Sequence, residues 1–241
     1  TLCYLNRYLE FVSKQLDSLP ESIVSVSNEV NNWLEKVDSI LNSNLGKTQS
    51  SFSAEDRKSF QDQLGTVFSE YRKEVYKNGF SGKTDIDTRK VSKVFKTALE
   101  FTRHSIKSNR REDGLYHAYN VPEYSKEYTE VDIVRLPLML EGQVAVLSSG
   151  ILTSEESLEV LEKMYLSQLF RKDQNSFVLY PEKTLPSFLE KNTVPENEIR
   201  QITLINKLLS SDDTTLIYRD ALGVCRFNSS IQNKSDLVDT L

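Results

Sequence analysis

Leu2-Cys3-Tyr4-Leu5-Asn6-Arg7-Tyr8-Leu9-Glu10-Phe11-Val12-Ser13-Lys14-Gln15-Leu16-Asp17-Ser18-Leu19-Pro20 opens the chain on a helical period. Leu2, Leu5, Leu9, Val12, Leu16 and Leu19 alternate spacings of three and four, the apolar stripe of an amphipathic helix that Pro20 ends. A second stripe runs through Ile23, Val26, Val30, Trp33, Val37 and Ile40. The connection is so short that the two helices are expected to fold back antiparallel. Their heptad-like spacing also suits a coiled coil, but a loop rich in Asn, Ser, Gly and Thr interrupts the stripe after Leu41 and favours an intramolecular hairpin.

Working outward, Ser53 can cap a third helix with Glu55 and Asp56 in its first turn, and Asn78-Gly79 ends it. A fourth helix is predicted from near Asp87 to Arg110 and Arg111. After Asn120 the residues around Pro122, Tyr124 and Tyr128 read as a polar, aromatic surface loop. Pro137 to Leu147 is apolar on almost all sides and reads as a buried helix, with a buried strand as its rival. Thr153 and Glu156 form a capping-box pattern, and Pro195 suits the first turn of a helix through Ile199, Ile202, Ile205, Leu208 and Leu209. Phe177 to Tyr180 suggests a short strand and Leu185 to Leu189 a helical turn. Thr215 to Tyr218 and Val224 to Phe227 flank a four-residue turn, a β-hairpin pattern. The fold class is therefore mainly α, helical hairpins or a bundle with a small C-terminal β element, in two subdomains, 1–111 and 112–241.

With 38% hydrophobic and 27% charged residues in 241, the chain can bury its own core without disulfide or metal staples. A net charge of -5 argues against nucleic acid, whose phosphates need clustered Lys and Arg. Cys3 and Cys225 are too few for a secreted disulfide framework, so a reducing, cytoplasmic setting is expected. The sequons at Asn228 and Asn233 carry little weight against that. No apolar run reaches the roughly 18 residues of a membrane span, so no membrane partner is expected. The start, Thr1-Leu2-Cys3, lacks Met and a basic leader and reads as a piece cut from a longer protein, which makes other domains of that protein the expected partners. Gly46-Lys47-Thr48 and Gly82-Lys83-Thr84 lack the glycine five residues upstream that a phosphate loop needs. No metal or cofactor is expected, because metal-ligand spacings of Cys and His are absent.

Chemistry concentrates in Arg110-Arg111-Glu112-Asp113-Gly114-Leu115-Tyr116-His117-Ala118-Tyr119-Asn120. The Asp113-Gly114 turn can draw Arg110, His117 and the tyrosines together, a mixture suited to a polyhydroxylated or anionic small molecule. Equally, Tyr116 and Tyr119 can plug a core while His117 and Asn120 satisfy loop carbonyls. Glu141 and Gln143 flank Gly142 inside the most apolar segment, where a buried carboxylate needs a partner or a raised pKa, or where both side chains simply reach the surface. Arg171 to Asn175 is read as a solvated helix end rather than a pocket wall. Candidate roles are Asp113 or Glu141 as acid/base, His117 for proton transfer or orientation, Arg110 as anion clamp, Tyr116 and Tyr119 as stacking platforms, and Asn120 and Gln143 as polar ligand contacts.

Asp113 to Asn120 resembles the Gly-Leu-Tyr-Tyr-His-Ala-Tyr-Asp segment of unsaturated glucuronyl and rhamnogalacturonyl hydrolases. The resemblance implies an (α/α)6 helical toroid acting on unsaturated uronic acids. Two functions follow as expectations: a helical domain with a small-molecule pocket, carbohydrate hydrolysis being the reaction class, or a noncatalytic helical interaction or structural module.

Overall fold

The computed structural model describes residues 1–20, 23–181 and 185–241, and the chain divides into two compact units, Thr1–Glu182 and Lys183–Leu241. It is mainly α with short antiparallel strand pairs. The expected division between 111 and 112 falls inside the first unit.

α1 (Leu2–Ser18) forms as expected, but its buried residues are Asn6, Leu9 and Ser13, and Leu5 and Leu19 of the predicted stripe are exposed. Residues 23–27 do not continue into a second helix. They form β1 (Ile23–Ser27), and α2 (Asn28–Asn44) starts only after the Ser27 side chain accepts a hydrogen bond from Val30 N. Ile23, Val24 and Val26 are β-branched, which favours an extended backbone, and the strand finds its partner in β2 (Lys83–Asp87), with Ile23 opposite Asp87. That detour breaks the expected α1–α2 hairpin. α1 instead lies antiparallel on α4 (Thr88–Lys107), with Thr102 donating to Asn6 at 2.8 Å near one end and Lys96 to Asp17 at 2.7 Å near the other. α2 pairs with α3 (Ala54–Asn78), through Lys36 to Glu70 and Trp33 against Phe68 and Tyr71.

The starts of these helices follow their caps. Ser53 and Asp56 form a full capping box, and Asp87 accepts from Arg89 N at the head of α4. The core between α2, α3 and α4 holds Leu34, Leu41, Ile86, Val94 and Phe101.

The stretch read as a polar loop is a β-hairpin, β3 (Asn120–Tyr124) against β4 (Val131–Arg135). It carries little alternating hydrophobicity because almost none of it is buried: all of β3 is exposed, and of β4 only Val131 is covered. Val131 is buried on α3, while Val121 and Val134 are exposed. Arg57 of α3 staples it, donating to Val131 O at 2.8 Å and to Asp132 at 2.9 Å. Next come α5 (Leu140–Leu147) and α6 (Ser154–Leu166), the latter headed by the Thr153–Glu156 capping box. β5 (Phe170–Arg171) and β6 (Ser176–Phe177) end the unit, in place of a strand running on to Tyr180. Of α5, Gly142, Gln143 and Val146 are buried while Glu141 and Val144 are exposed, so the helix is half-buried rather than central.

In the second unit α7 (Phe188–Lys191) is followed by α8 (Glu196–Gln201) and α9 (Thr203–Ser210). The helix expected from Pro195 onward is broken at Ile202, which is extended, and the Asn206 amide donates back to Ile199 O at 3.1 Å. β7 (Ile217–Arg219) and β8 (Cys225–Phe227) make the expected hairpin, before α10 (Lys234–Thr240). Asp220 Oδ1 accepts from Leu222 N and Val224 N in its turn, and Gly223 supplies the positive φ of 80°. Val194, Ile199, Leu216, Ile217 and Cys225 form this unit's own core.

Candidate functional site

Residues 110–120 form a short ribbon that leaves α4 and packs on α5. Arg110 and Tyr116 are bridged, Arg111 N donates to Leu115 O, and His117 N donates to Asn109 O. Gly114 makes the turn at φ 85°. Leu115 and Tyr116 point into a core with Ile106, Val146, Val160 and Met164.

Gln143 is fully buried and completes the ribbon: its Oε1 accepts from Tyr116 N at 2.9 Å, and its Nε2 donates to Tyr116 O at 2.7 Å and Met139 O at 3.0 Å. A side-chain amide thus plays the part of a neighbouring strand. Gly142 allows the approach, since a Cβ there would lie 2.9 Å from Tyr116 O and 3.0 Å from Ala118 N.

The charged candidates are each held by a neighbour. Arg110 donates to Glu159 of α6 at 2.7 Å. Asp113 accepts from Arg111 at 3.0 Å and from Leu115 N at 3.1 Å. Burial opposes ionisation of Asp113, but those bonds outweigh it and its pKa lies below the usual carboxylate value. His117 Nδ1 faces Leu136 O at 3.2 Å, so the neutral ring donates from Nδ1. Burial lowers its pKa, the Leu136 bond opposes this, and the Arg111 and Arg135 cations reinforce the lowering. Tyr119 is half-exposed and sits beside Glu141, whose carboxylate pushes the phenol pKa up. Asn120 donates to Asn109 at 2.8 Å. Asp113 and His117 are close enough to influence each other's titration, whereas the neighbours that act on Tyr119 are Glu141 and Tyr180.

Beside this ribbon opens a cleft of about 510 Å³ that sequence reasoning missed. Of the candidates only Asn120 lines it. Its floor is a ring cluster in which Phe60 stacks on Phe101 at 5.0 Å, with Phe52 5.6 Å from the His104 ring. Among the described residues Arg57 and Arg135 stand at its wall with four serines, and no carboxylate lines it. The signal was weak because these residues come from a loop, two helices and a hairpin that the sequence did not reveal. Asn120 and Arg135 face each other across β3 and β4.

Residues 185–241 match the model of the family described as GH149 phosphorylase insertion domain 2. No curated protein matches the chain. The matched stretch is the second compact unit less its first two residues, Lys183 and Thr184. Among the described residues no helix is long and apolar enough to cross a membrane. The C-terminal unit of this mainly helical chain is thus similar to an insertion domain of a larger carbohydrate-active protein.

Proposed function

We propose that the chain is a noncatalytic insertion module of a larger carbohydrate-active protein, docked on other domains of that parent. The observation that carries this reading is the coincidence of the match over 185–241 with a whole folded unit that has its own core. A resemblance borne by a complete unit reflects how the parent is assembled, which a scattered motif does not.

The ribbon favours this over carbohydrate hydrolysis. Asp113 and His117 are occupied in holding a turn and a carbonyl, and Glu141 meets Tyr119 rather than either of them. Most glycoside hydrolysis uses two carboxyl groups facing one substrate. A cytoplasmic setting is supported by Cys3 and Cys225, both free thiols.

The test is incubation of the chain with neutral and uronate-containing oligosaccharides, with and without phosphate. No release of sugar or sugar phosphate is expected. Turnover that disappears in Asp113→Asn or Glu141→Gln would overturn the proposal.

A further inference from the structure

We propose that the cleft beside Asn120 is a binding site for a small ring-bearing anion, with its carboxylate or phosphate on Arg135 and its ring over Phe52 and Phe60. This does not depend on the parent being carbohydrate-active. A cleft of about 510 Å³ is ligand-sized, and its make-up, an aromatic floor with a few convergent polar groups, is that of small-molecule sites.

Charge decides the class of ligand. In a chain of net charge -5, two arginines and a histidine line this cavity and, among the described residues, no acid does. The two arginines are not equivalent. Arg57 is committed to Val131 O, Phe52 O and Asp132, so it holds the hairpin. Among the described residues the Arg135 side chain makes one hydrogen bond, to Ser108 O at 3.0 Å, and pairs with no carboxylate. Its fork keeps donors for an oxyanion.

The end of α4 would ordinarily repel an anion through its unpaired carbonyls. Here they are already occupied: Ser105 O by Asn109, Ile106 O by Asn109 N, Lys107 O by Arg110 N, and Ser108 O by Arg135. His104 Nδ1 is fixed on Thr48 O at 3.0 Å, which leaves Nε2 to accept from a ligand hydroxyl. Asn120 adds an amide opposite Arg135.

Calorimetric titration of the chain with glucuronate, benzoate and glucose tests this. At least one anion is expected to bind and glucose not to, and the better anion tells a sugar acid from an aromatic acid. Arg135→Gln should weaken binding roughly tenfold to a hundredfold, the loss of one charged hydrogen-bonded contact. Lys126→Gln at the hairpin turn should not. Asn120→Asp, which sets a carboxylate in the cleft at an exposed position, should also abolish binding, and it stands in for Arg135→Gln if that variant does not fold. Binding of neither anion, equal binding of glucose, or unchanged affinity in Arg135→Gln or Asn120→Asp would overturn the proposal.

Discussion

Gln143 hydrogen-bonds both backbone polar groups of Tyr116, at 2.9 and 2.7 Å, from a position with no solvent exposure. Replacing it with Leu keeps the volume but strands a buried N–H and C=O. Gln143→Leu is expected to cost about 2–6 kcal/mol, from two unsatisfied groups worth about 1–3 kcal/mol each. Urea denaturation gives the number. A cost below about 1 kcal/mol would mean that the ribbon finds other partners.

Gly142→Ala pits two effects against each other. Alanine favours a helix by about 1 kcal/mol over glycine. The added Cβ, however, would press on Tyr116 O at 2.9 Å, which Gln143 itself holds in place, and on Ala118 Cα at 3.1 Å, both backbone atoms. Overpacking of this kind costs about 1–3 kcal/mol, so the net change is expected to be destabilising. Thermal denaturation decides it, and a raised melting temperature would refute the tight approach.

His117 should make stability depend on pH. Its pKa in the folded chain lies below the unfolded value of about 6.5, first because burial disfavours the imidazolium. Below about pH 6.5 the unfolded chain therefore takes up the proton first. The stability held by His117 is full above that pH and is lost as the pH falls through the folded pKa. In His117→Gln, which can still donate to Leu136 O, the decline should flatten. With two histidines in the chain, a proton NMR titration can follow His117 directly, and a midpoint above about 6.5 would contradict the assignment.

The local part of this fold was legible and the nonlocal part was not. Ser53, Asp87 and Thr153 announce helix starts because a cap acts within three residues of itself, and the Asp220–Gly223 turn likewise carries its own chemistry. β1 was hidden because Ile23 and Val26 fit the helical stripe of Val30, Trp33 and Val37 as well as they fit a strand. Its partner Lys83-Thr84-Asp85-Ile86-Asp87 offers one apolar residue. The choice of α4 rather than α2 as the partner of α1 rests on pairs such as Asn6 with Thr102, which no period encodes. The ribbon's unusual composition marks a segment whose side chains are held in pairs with neighbours, Arg110 with Glu159, Asp113 with Arg111 and Asn120 with Asn109. The cleft-lining residues Phe52, His104 and Arg135 are brought together only by the fold.

The second unit should fold by itself. Val194, Ile199, Leu216, Ile217 and Cys225 are buried together, and Asn192 repeats the device seen at Gln143: its amide donates to Phe227 O at 3.2 Å and accepts from Phe227 N at 3.0 Å. Arg219 adds an ion pair with Glu196 at 2.5 Å, and Val194 N donates to Cys225 O at 2.9 Å, tying the segment before α8 to the hairpin. A fragment of residues 185–241 is therefore expected to show dispersed amide resonances and a cooperative melt. Domains this small bury only about 60% of their unfolded surface and are correspondingly marginal. Asn192→Leu, which leaves two hairpin backbone groups without their partner at about 1–3 kcal/mol each, should consequently convert much of the fragment to the unfolded state. A fragment disordered on its own, while the same residues are ordered in the full chain, would show that this unit depends on the rest of the protein for its stability.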